Sequence, residues 1–286
     1  MALGGSGEST NPYIVHSWAE LLEAFDGISG NYIELANDIE APEESVTVWA
    51  TKNRSLDGKG FAINNLHHSG SNAAINFGAS SGNISGDKYL KNIKFTNVYL
   101  TGGFCVWQRP SDGSGIIKNV SFSGRIDSGT LIKVSYAPTY GPWLNINGIA
   151  ADIETGTGNC CILVNEWNDS TATIPNGNIK VKYLKCSPQN PLAGSASYKW
   201  SWSNTLFDIT AEDTETKVCL GNNLSNCCVI GKGSGVTFTS GSGSVVVENT
   251  LSLPDPAPSN TYSLSTTDIK DAQTLHDDYG FPIGVD

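Results

Sequence analysis

Four segments in the middle of the chain repeat one pattern, an asparagine followed by an aliphatic residue and then by alternating apolar positions. They are KNIKFTNVYL from Lys91, KNVSFSGRID from Lys118, LNINGIAADI from Leu144 and GNIKVKYLKC from Gly177. The aliphatic residues are 27, 26 and 33 residues apart: Ile93, Val120, Ile146 and Ile179. Short strands that return at such an interval, with turns rich in glycine and serine between them, are typical of a solenoid.

The asparagine before each aliphatic residue has a physical role in a solenoid. Asparagine tolerates tight turns, and the amides of stacked asparagines can hydrogen-bond from one repeat to the next. The pattern therefore predicts an all-β fold with a ladder of asparagines. The alternative is a β-sandwich or jelly roll, because the strands of these folds also alternate apolar and polar residues.

The composition supports a β-rich fold and disfavours nucleic acid and membranes as partners. The 286 residues include 31 glycines and one methionine, and 16% are charged, whereas helical proteins are usually richer in Glu, Lys, Arg and Met. The net charge of −11 disfavours attraction to nucleic acid or anionic lipid. No stretch approaches the ~20 apolar residues that span a bilayer, so we expect no membrane insertion.

The N-terminal sequence MALGGSGEST has no basic region followed by an apolar run. Such a sequence does not have the pattern of a secretory signal. We therefore expect a protein that is made in, and first kept in, a cytosol.

One helix is predicted near the start of the chain. Ser17 is a good N-cap and Glu20 completes a capping box, while Gly27 is suited to end the helix. Its apolar residues recur at helical spacing: Trp18, Leu21, Leu22 and Phe25. A helix of about ten residues is not stable alone, so we expect its apolar face to cover the exposed end of a β stack.

Residues 11–41, NPYIVHSWAELLEAFDGISGNYIELANDIEA, resemble the N-terminal cap of right-handed parallel β-helices of the pectate-lyase-like superfold. Similar openings are found in bacteriophage spikes, fibres and other virion proteins, and in bacterial surface proteins. The resemblance implies a flexible segment at residues 1–12, a cap helix within 13–30 and a parallel β-helix over 31–252. It suggests fold more than function.

The enzymatic members of that superfold carry motifs that this chain lacks. Polygalacturonase-like enzymes have Asn-Thr-Asp, Asp-Asp, Gly-His-Gly and Arg-Ile-Lys on successive coils, and pectate lyases have Trp-Ile-Asp-His. The only Asp-Asp here is Asp277–Asp278, near the C-terminus. Five acidic residues could still form the carboxylate pair of a hydrolase: Asp127, Asp152, Glu154, Glu166 and Asp208. We predict no catalytic residue, and a polysaccharide lyase or glycoside hydrolase remains an alternative.

We predict no metal site and no cofactor. The seven cysteines have no C-x-x-C spacing and no neighbouring histidine, so we interpret them as small apolar core residues. They are Cys105, Cys160, Cys161, Cys186, Cys219, Cys227 and Cys228. His67 and His68 have no third ligand in view, and two histidines near a turn are usually solvated.

Exposed aromatic residues are the predicted ligand-binding group. Six of them fall within a hundred residues, several in loop-like sequence: Trp107, Tyr140, Trp143, Trp167, Trp200 and Trp202. Trp and Tyr stack on sugar faces and anchor protein interfaces. We expect these residues to contact a host cell-surface glycan or receptor, or to pack between subunits.

The C-terminal region changes character after residue 252. Residues 253–260, LPDPAPSN, predict a semi-rigid linker, and residues 261–286 predict a short helix and an apolar end. Its docking residues are Ile269, Leu275, Phe281 and Ile283. They are expected to bind other virion proteins, or to fold back onto the β stack.

These features favour a non-enzymatic bacteriophage virion protein of the fibre, spike or decoration kind. We expect a homotrimer, assembled in the host cytoplasm and located in the virion, that presents a rigid β-helix for attachment to the host surface. A bacterial surface adhesin is a further alternative, but it would require an export route.

Overall fold

The computed structural model describes residues 3–26, 30–49, 54–77, 88–108, 114–134, 143–155 and 160–165, and then shorter strands between residues 173 and 263. Within these residues the chain is almost wholly β. The one helix among them is α1, Trp18–Phe25.

The strands of the first part of the chain include three long ones, each of 13 residues. In chain order they are β1 (Tyr13–Val15), β2 (Tyr32–Leu35), β3 (Ile39–Glu40), β4 (Val48–Trp49), β5 (Ser55–Asp57), β6 (Ala62–Asn64), β7 (His67–His68), β8 (Ala73–Asn76), β9 (Lys88–Leu100), β10 (Phe104–Gln108), β11 (Ser114–Ile126), β12 (Gly129–Val134), β13 (Trp143–Thr155) and β14 (Cys160–Asn165).

The described strands after residue 165 are short. They are β15 (Thr173–Pro175), β16 (Asn178–Val181), β17 (Ser201–Ser203), β18 (Leu206–Thr210), β19 (Val218–Cys219), β20 (Asn223–Ser225), β21 (Cys228–Lys232), β22 (Val236–Thr237), β23 (Val246–Glu248), β24 (Thr250–Leu253) and β25 (Thr261–Ser263).

All pairings between these described strands are parallel. The main sheet runs β1-β2-β5-β9-β11-β13-β16-β18-β21-β24-β25, with β3, β6 and β7 beside this path. A second sheet runs β4-β8-β10-β12-β14 and a third runs β15-β17-β20-β23, while β19 pairs with β22. The chain therefore leaves each sheet after a strand and returns to it at the next parallel strand. We call one such circuit of the chain a level. The predicted all-β class is confirmed, with parallel sheets.

The register confirms part of the predicted repeat and corrects one position. Ile93 pairs with Val120 as predicted. Val120, however, pairs with Ile149 and not with Ile146, and Ile149 pairs with Ile179. The assignment of Ile146 was wrong because it followed the Asn145–Ile146 pair. In β13 Gly148 lies between the partners of Lys118 and Val120, where β11 has Asn119, so the aliphatic residue that follows is Ile149. The corrected register makes the spacing of the repeats more even.

The apolar positions of the repeats are stacked in the core. Ile93, Val120 and Ile149 are at most 1% exposed. Phe95 and Phe122 lie above one another with ring centroids 5.0 Å apart and planes 10° apart. Burying a side chain of this size contributes about 1.5–3 kcal/mol, so each level of the stack is stabilised by its contact with the next.

An amide ladder holds one corner of the stack, as the sequence predicted. Asn119 Nδ2 donates to Asn92 Oδ1 at 3.1 Å, and Asn92 Nδ2 donates to Asp57 Oδ1 at 3.1 Å. Both asparagines have positive φ, 51° at Asn92 and 52° at Asn119. Asparagine is one of the few residues that adopt this left-handed conformation readily, so the same side chain bends the backbone and links the levels.

A second ladder holds another corner. Asn97 Nδ2 donates to Asn65 Oδ1 at 2.6 Å, and Asn65 Nδ2 donates to Glu40 at 2.7 Å. Asn65 and Asn97 again have positive φ. At the next level Gly124 has a φ of 139°, and a Cβ there would lie 2.1 Å from the carbonyl oxygen of Val98. Only glycine fits so close to the neighbouring strand.

The helix α1 covers the start of the stack, as predicted. It contacts β1, the first strand of the main sheet, and β4, and Phe25 packs edge-on against Phe77 at 5.2 Å. Ser17 Oγ accepts the N–H of Glu20 at 3.3 Å, whereas Glu20 accepts the N–H of His16 at 2.7 Å and not that of the cap residue. Gly27, the predicted helix end, lies outside the described residues.

One apolar position of the helix was predicted wrongly. Leu21, Ala24 and Phe25 are buried, whereas Leu22 is 38% exposed. The buried face is centred between Leu21 and Ala24, so Leu22 lies at its edge. The sequence pattern placed the buried face too close to Leu22, because Ala24 is small and contributes little to a hydrophobic pattern.

Two predicted boundaries also differ from the structure. The segment predicted as flexible is hydrogen-bonded: Ile14 N donates to Gly4 O at 2.9 Å and Ser6 N donates to Asn11 O at 3.0 Å. These bonds extend the edge of β1. At the other end, β25 pairs with β24, so strand pairing continues beyond residue 252.

Replacing Asn92 tests the corner ladder. We expect Asn92→Ala to lower the free energy of unfolding by about 2–3 kcal/mol, because it removes two hydrogen bonds of ~1 kcal/mol each and forces alanine into the left-handed region. Asn92→Gly loses the same hydrogen bonds without the backbone strain and should be the milder change. Chemical denaturation of both variants measures the difference, and equal losses would contradict the role given to φ.

Candidate functional site

Four polar or aromatic residues form a row across adjacent strands of the main sheet. His67 in β7 pairs with Tyr99 in β9, Tyr99 pairs with Arg125 in β11, and Arg125 pairs with Glu154 in β13. Because paired positions of parallel strands lie side by side, the four residues are consecutive along the stack. We call them the Tyr99 row.

The Tyr99 row faces outward because its sequence neighbours face inward. Side chains alternate between the two faces of a strand. Six of the neighbours are fully buried: Leu66, His68, Val98, Leu100, Ile126 and Ile153. The alternation of each strand thus fixes the orientation of the row.

Asp127 connects the members of the Tyr99 row. Tyr99 Oη donates to Asp127 Oδ2 at 2.8 Å, and Arg125 Nε donates to Asp127 Oδ1 at 2.7 Å. Arg125 Nη1 also donates to Glu154 Oε1 at 2.8 Å. On the other side of Tyr99, the His67 ring is stacked at 5.1 Å with planes 28° apart. One continuous set of contacts therefore runs from His67 to Glu154.

Asp127 is held in place by the backbone as well. It follows the last residue of β11, and its N–H donates to the carbonyl oxygen of Leu100 at 2.8 Å. This bond brings the carboxylate back over the strand that carries Tyr99.

The contacts of Asp127 keep it ionised. The hydrogen bonds from Tyr99 and Arg125 lower the pKa of Asp127, and the bond to Asp127 raises the pKa of the Tyr99 hydroxyl. A general acid needs a carboxyl group whose pKa is raised. Asp127 is therefore suited to accept hydrogen bonds and not to protonate a leaving group.

The other acidic candidates are less fully described. Glu154 accepts from Arg125. Asp152 lies in β13 and Asp208 in β18, where the structure describes their backbone but not their side chains, and Glu166 lies outside the described residues.

A second outward cluster lies on β2, β5 and β9. Tyr32 and Tyr89 have ring centroids 5.9 Å apart, and the Lys91 ammonium lies 4.3 Å from the centre of the Tyr89 ring. Lys91 also pairs with Asp57 at 3.2 Å. Burial is the main cause that raises the pKa of Tyr89 to about 12, followed by the charge of Asp57. Tyr32 and Tyr89 are only partly exposed, whereas Tyr99 is 36% exposed, so each ring of this cluster offers less free surface than Tyr99.

The two histidines differ from the prediction that both are solvated. His67 is partly exposed on the Tyr99 row, but His68 is fully buried. The ring nitrogens of His68 lie 2.6 Å from Val46 O and 2.8 Å from Asn72 O. The prediction failed because neighbouring residues of a strand point to opposite faces, so one histidine of a pair must turn inward.

Cys105 is a buried thiol, in agreement with the prediction of a core residue. It is fully buried and its sulfur is not in a disulfide, and burial raises its pKa. Among the residues that the structure describes, no group of His, Cys, Asp or Glu has the arrangement of a metal site, and no helix is long and apolar enough to cross a membrane.

The predicted aromatic residues are only partly located. Trp107, Trp143 and Trp202 lie in β10, β13 and β17, where the structure describes the backbone but not these side chains. The other predicted site residues lie outside the described residues: Tyr140, Trp167, Trp200, Ile269, Leu275, Phe281 and Ile283. Whether the six aromatics bind a ligand stays a prediction.

The sequence reasoning missed the Tyr99 row. Its members are single residues in four different strands, and no short motif joins them. Aligning Ile93 with Val120 does not reveal it, because the register of β9 and β11 shifts by one residue between Phe122 and Gly124, so that Tyr99 pairs with Arg125 and not with Ile126. Tyr99 lies within the repeat KNIKFTNVYL, where it looks like an ordinary alternating strand position.

Comparisons with known proteins identify a fold relative and no family. No protein-family model matches the chain, and no curated protein matches its sequence significantly. Among solved structures, that of a candidate immunoglobulin A1 protease from Bacteroides ovatus is similar, with a TM-score of 0.55, 14% identity and alignment over 96% of this chain and 89% of that chain. At this identity the similarity concerns the fold alone.

The ionisation of Tyr99 tests the contact with Asp127. Tyrosines labelled at Cζ with carbon-13 should show Tyr99 ionising above its ordinary pKa of 10.0 and Tyr89 near 12. In Asp127→Asn the Tyr99 pKa should fall because the charged acceptor is gone, while that of Tyr89 should stay. Since both pKa values are raised on folding, the stabilisation they represent is present below pH 10 and is lost as pH rises through them. An unchanged Tyr99 titration in Asp127→Asn would contradict the contact.

Proposed function

We propose that this chain is a right-handed parallel β-helix that serves as a non-enzymatic structural and attachment protein of a bacteriophage virion. In this proposal the stack is a stiff support, its outward rows contact the host surface, and the C-terminal segment binds other virion proteins. The partner on the host is a cell-surface glycan.

The parallel strand order supports the β-helix part of the proposal. A β-sandwich or jelly roll is built from antiparallel strands, whereas the described strands pair in parallel and return to the same sheet level after level. The long order of the main sheet, from β1 to β25, is what a solenoid requires.

The observation that carries the attachment role is the Tyr99 row. A set of exposed groups is fixed at regular intervals on a stack whose corners are hydrogen-bonded from level to level. Such preorganisation lowers the entropic cost of binding. Several copies of the row in an oligomer would convert weak single contacts into avidity.

The fold relative suggests a protease as a second candidate, and Cys105 and His68 do not favour a cysteine protease. Cysteine proteases need a thiolate beside a histidine, but Cys105 is buried with a raised pKa. The His68 ring is also buried, and both its nitrogens already contact carbonyl oxygens. Neither residue is available to a substrate.

The oligomeric state is the first test of the proposal. We expect light scattering on a sizing column to give about three times the chain mass of 30.3 kDa, and the trimer to resist mild SDS. A clean monomer would contradict assembly as a virion fibre or spike.

Activity on polysaccharides tests the non-enzymatic part. We expect no reducing ends above the buffer level when the protein is incubated with neutral or acidic polysaccharides, because Asp127 and Glu154 are both held by Arg125. Release that is present in the wild type and lost in Asp127→Asn would contradict the proposal and favour a glycoside hydrolase.

A further inference from the structure

We infer that the Tyr99 row, together with Asp127, is a binding site for a neutral, hydroxyl-rich glycan chain. The inference rests on the proposed attachment function and adds to it a surface and a class of ligand. Three observations carry it: an exposed aromatic ring of fixed orientation, an alternation of hydrogen-bonding groups, and the charge of the row.

The Tyr99 ring provides a stacking surface. Tyr99 is 36% exposed and, with Leu22, is one of two large hydrophobic residues that are exposed within the described part of the chain. The His67 ring lies against one face of Tyr99 and, together with the bond to Asp127, fixes its orientation, so a sugar would contact the ring surface that stays exposed. A rigid tyrosine offers apolar area at low conformational cost, and the C–H face of a pyranose is the apolar surface that fits against such a ring.

The polar groups of the row suit adjacent hydroxyls. Asp127 and Glu154 are acceptors and the Arg125 guanidinium between them is a donor. Each carboxylate oxygen can accept two hydrogen bonds, and each of the two oxygens of Asp127 accepts one within the row. The side chains remain accessible, with exposed fractions of 33% for Asp127, 48% for Arg125 and 63% for Glu154. Vicinal hydroxyls of a sugar, which both donate and accept, match this alternation.

The charge of the row selects neutral sugars. Two carboxylates surround one guanidinium, and the whole chain has a net charge of −11. A uronic acid or sialic acid would bring its carboxylate next to Asp127 or Glu154, and like charges at such distances repel. A neutral hexose polymer has no carboxylate and binds without this repulsion.

The direction of the row favours an extended chain over a single sugar. The four residues occupy four adjacent strands, and neighbouring strands are about 4.8 Å apart, so the row is roughly 14 Å long. An oligosaccharide lying parallel to the stack axis would contact the aromatic end and the carboxylate end at once.

An array of immobilised neutral and uronic-acid-containing glycans tests the inference. We expect the full chain to bind neutral hexose polymers, and Tyr99→Ala to bind the same glycans about tenfold more weakly because the stacking ring is lost, which corresponds to about 1.4 kcal/mol. Tyr99→Phe keeps the ring and should lose less. Tyr32→Ala is the matched control, because it removes a tyrosine from the other outward cluster and should bind like the wild type.

A second variant separates binding from structural support. Arg125→Met keeps the apolar stem but removes the donor between the carboxylates, and it should weaken binding. The melting temperature of each variant shows whether the fold is intact. If the Tyr99 row only stabilises the sheet, its variants will change the melting temperature and leave glycan binding unaltered. Binding to acidic glycans alone, no binding to any neutral glycan, or wild-type binding by a folded Tyr99→Ala would overturn the inference.

The two proposals fail in different ways. A trimer that binds no neutral glycan contradicts the glycan site and leaves the virion assembly intact. A monomer that binds a neutral glycan through Tyr99 contradicts the assembly and leaves the glycan site intact.

Discussion

The described core depends on bending the backbone at aligned places in neighbouring levels of the parallel strands. Parallel strands can hydrogen-bond over many levels only if each repeat turns its corner above the one before it. Asn92 and Asn119 meet this constraint at one corner, and Asn65 and Asn97 meet it at another. Each of these asparagines adopts the left-handed conformation that most residues avoid. Its amide also bonds to the next level, so local bending and alignment between levels have one cause.

Aligned corners have a consequence for the outer surface. When the inward residues of successive levels are in register, the outward residues are in register too, because side chains alternate along each strand. Residues that are far apart in sequence, such as His67 and Glu154, therefore become members of one row. Asp127, placed by a backbone hydrogen bond just beyond a strand end, joins the row through its contacts with Tyr99 and Arg125. The regular core is thus what creates an ordered surface of polar and aromatic groups.

Local patterns were sufficient for the elements that local physics decides. The capped helix, the all-β class and the asparagine ladder could be predicted because capping, alternation and left-handed turns depend on a few neighbouring residues. The pairing of Ile149 and the burial of His68 could not. Both depend on which face of which strand meets the next level, and a shift of register changes the answer for every residue of a strand.

The sequence by itself determined the kind of chain this is: β-rich, acidic, repetitive, with asparagines where the backbone must turn and one short helix at the start. These properties follow from composition and from the conformational preferences of single residues. The tertiary structure alone decided which residues stand side by side, and so assembled the Tyr99 row from four strands. The physical reason is that residues in contact on the outer surface are far apart in sequence. No local pattern predicts such a contact, because it forms only when all the turns between the two residues place their strands in register.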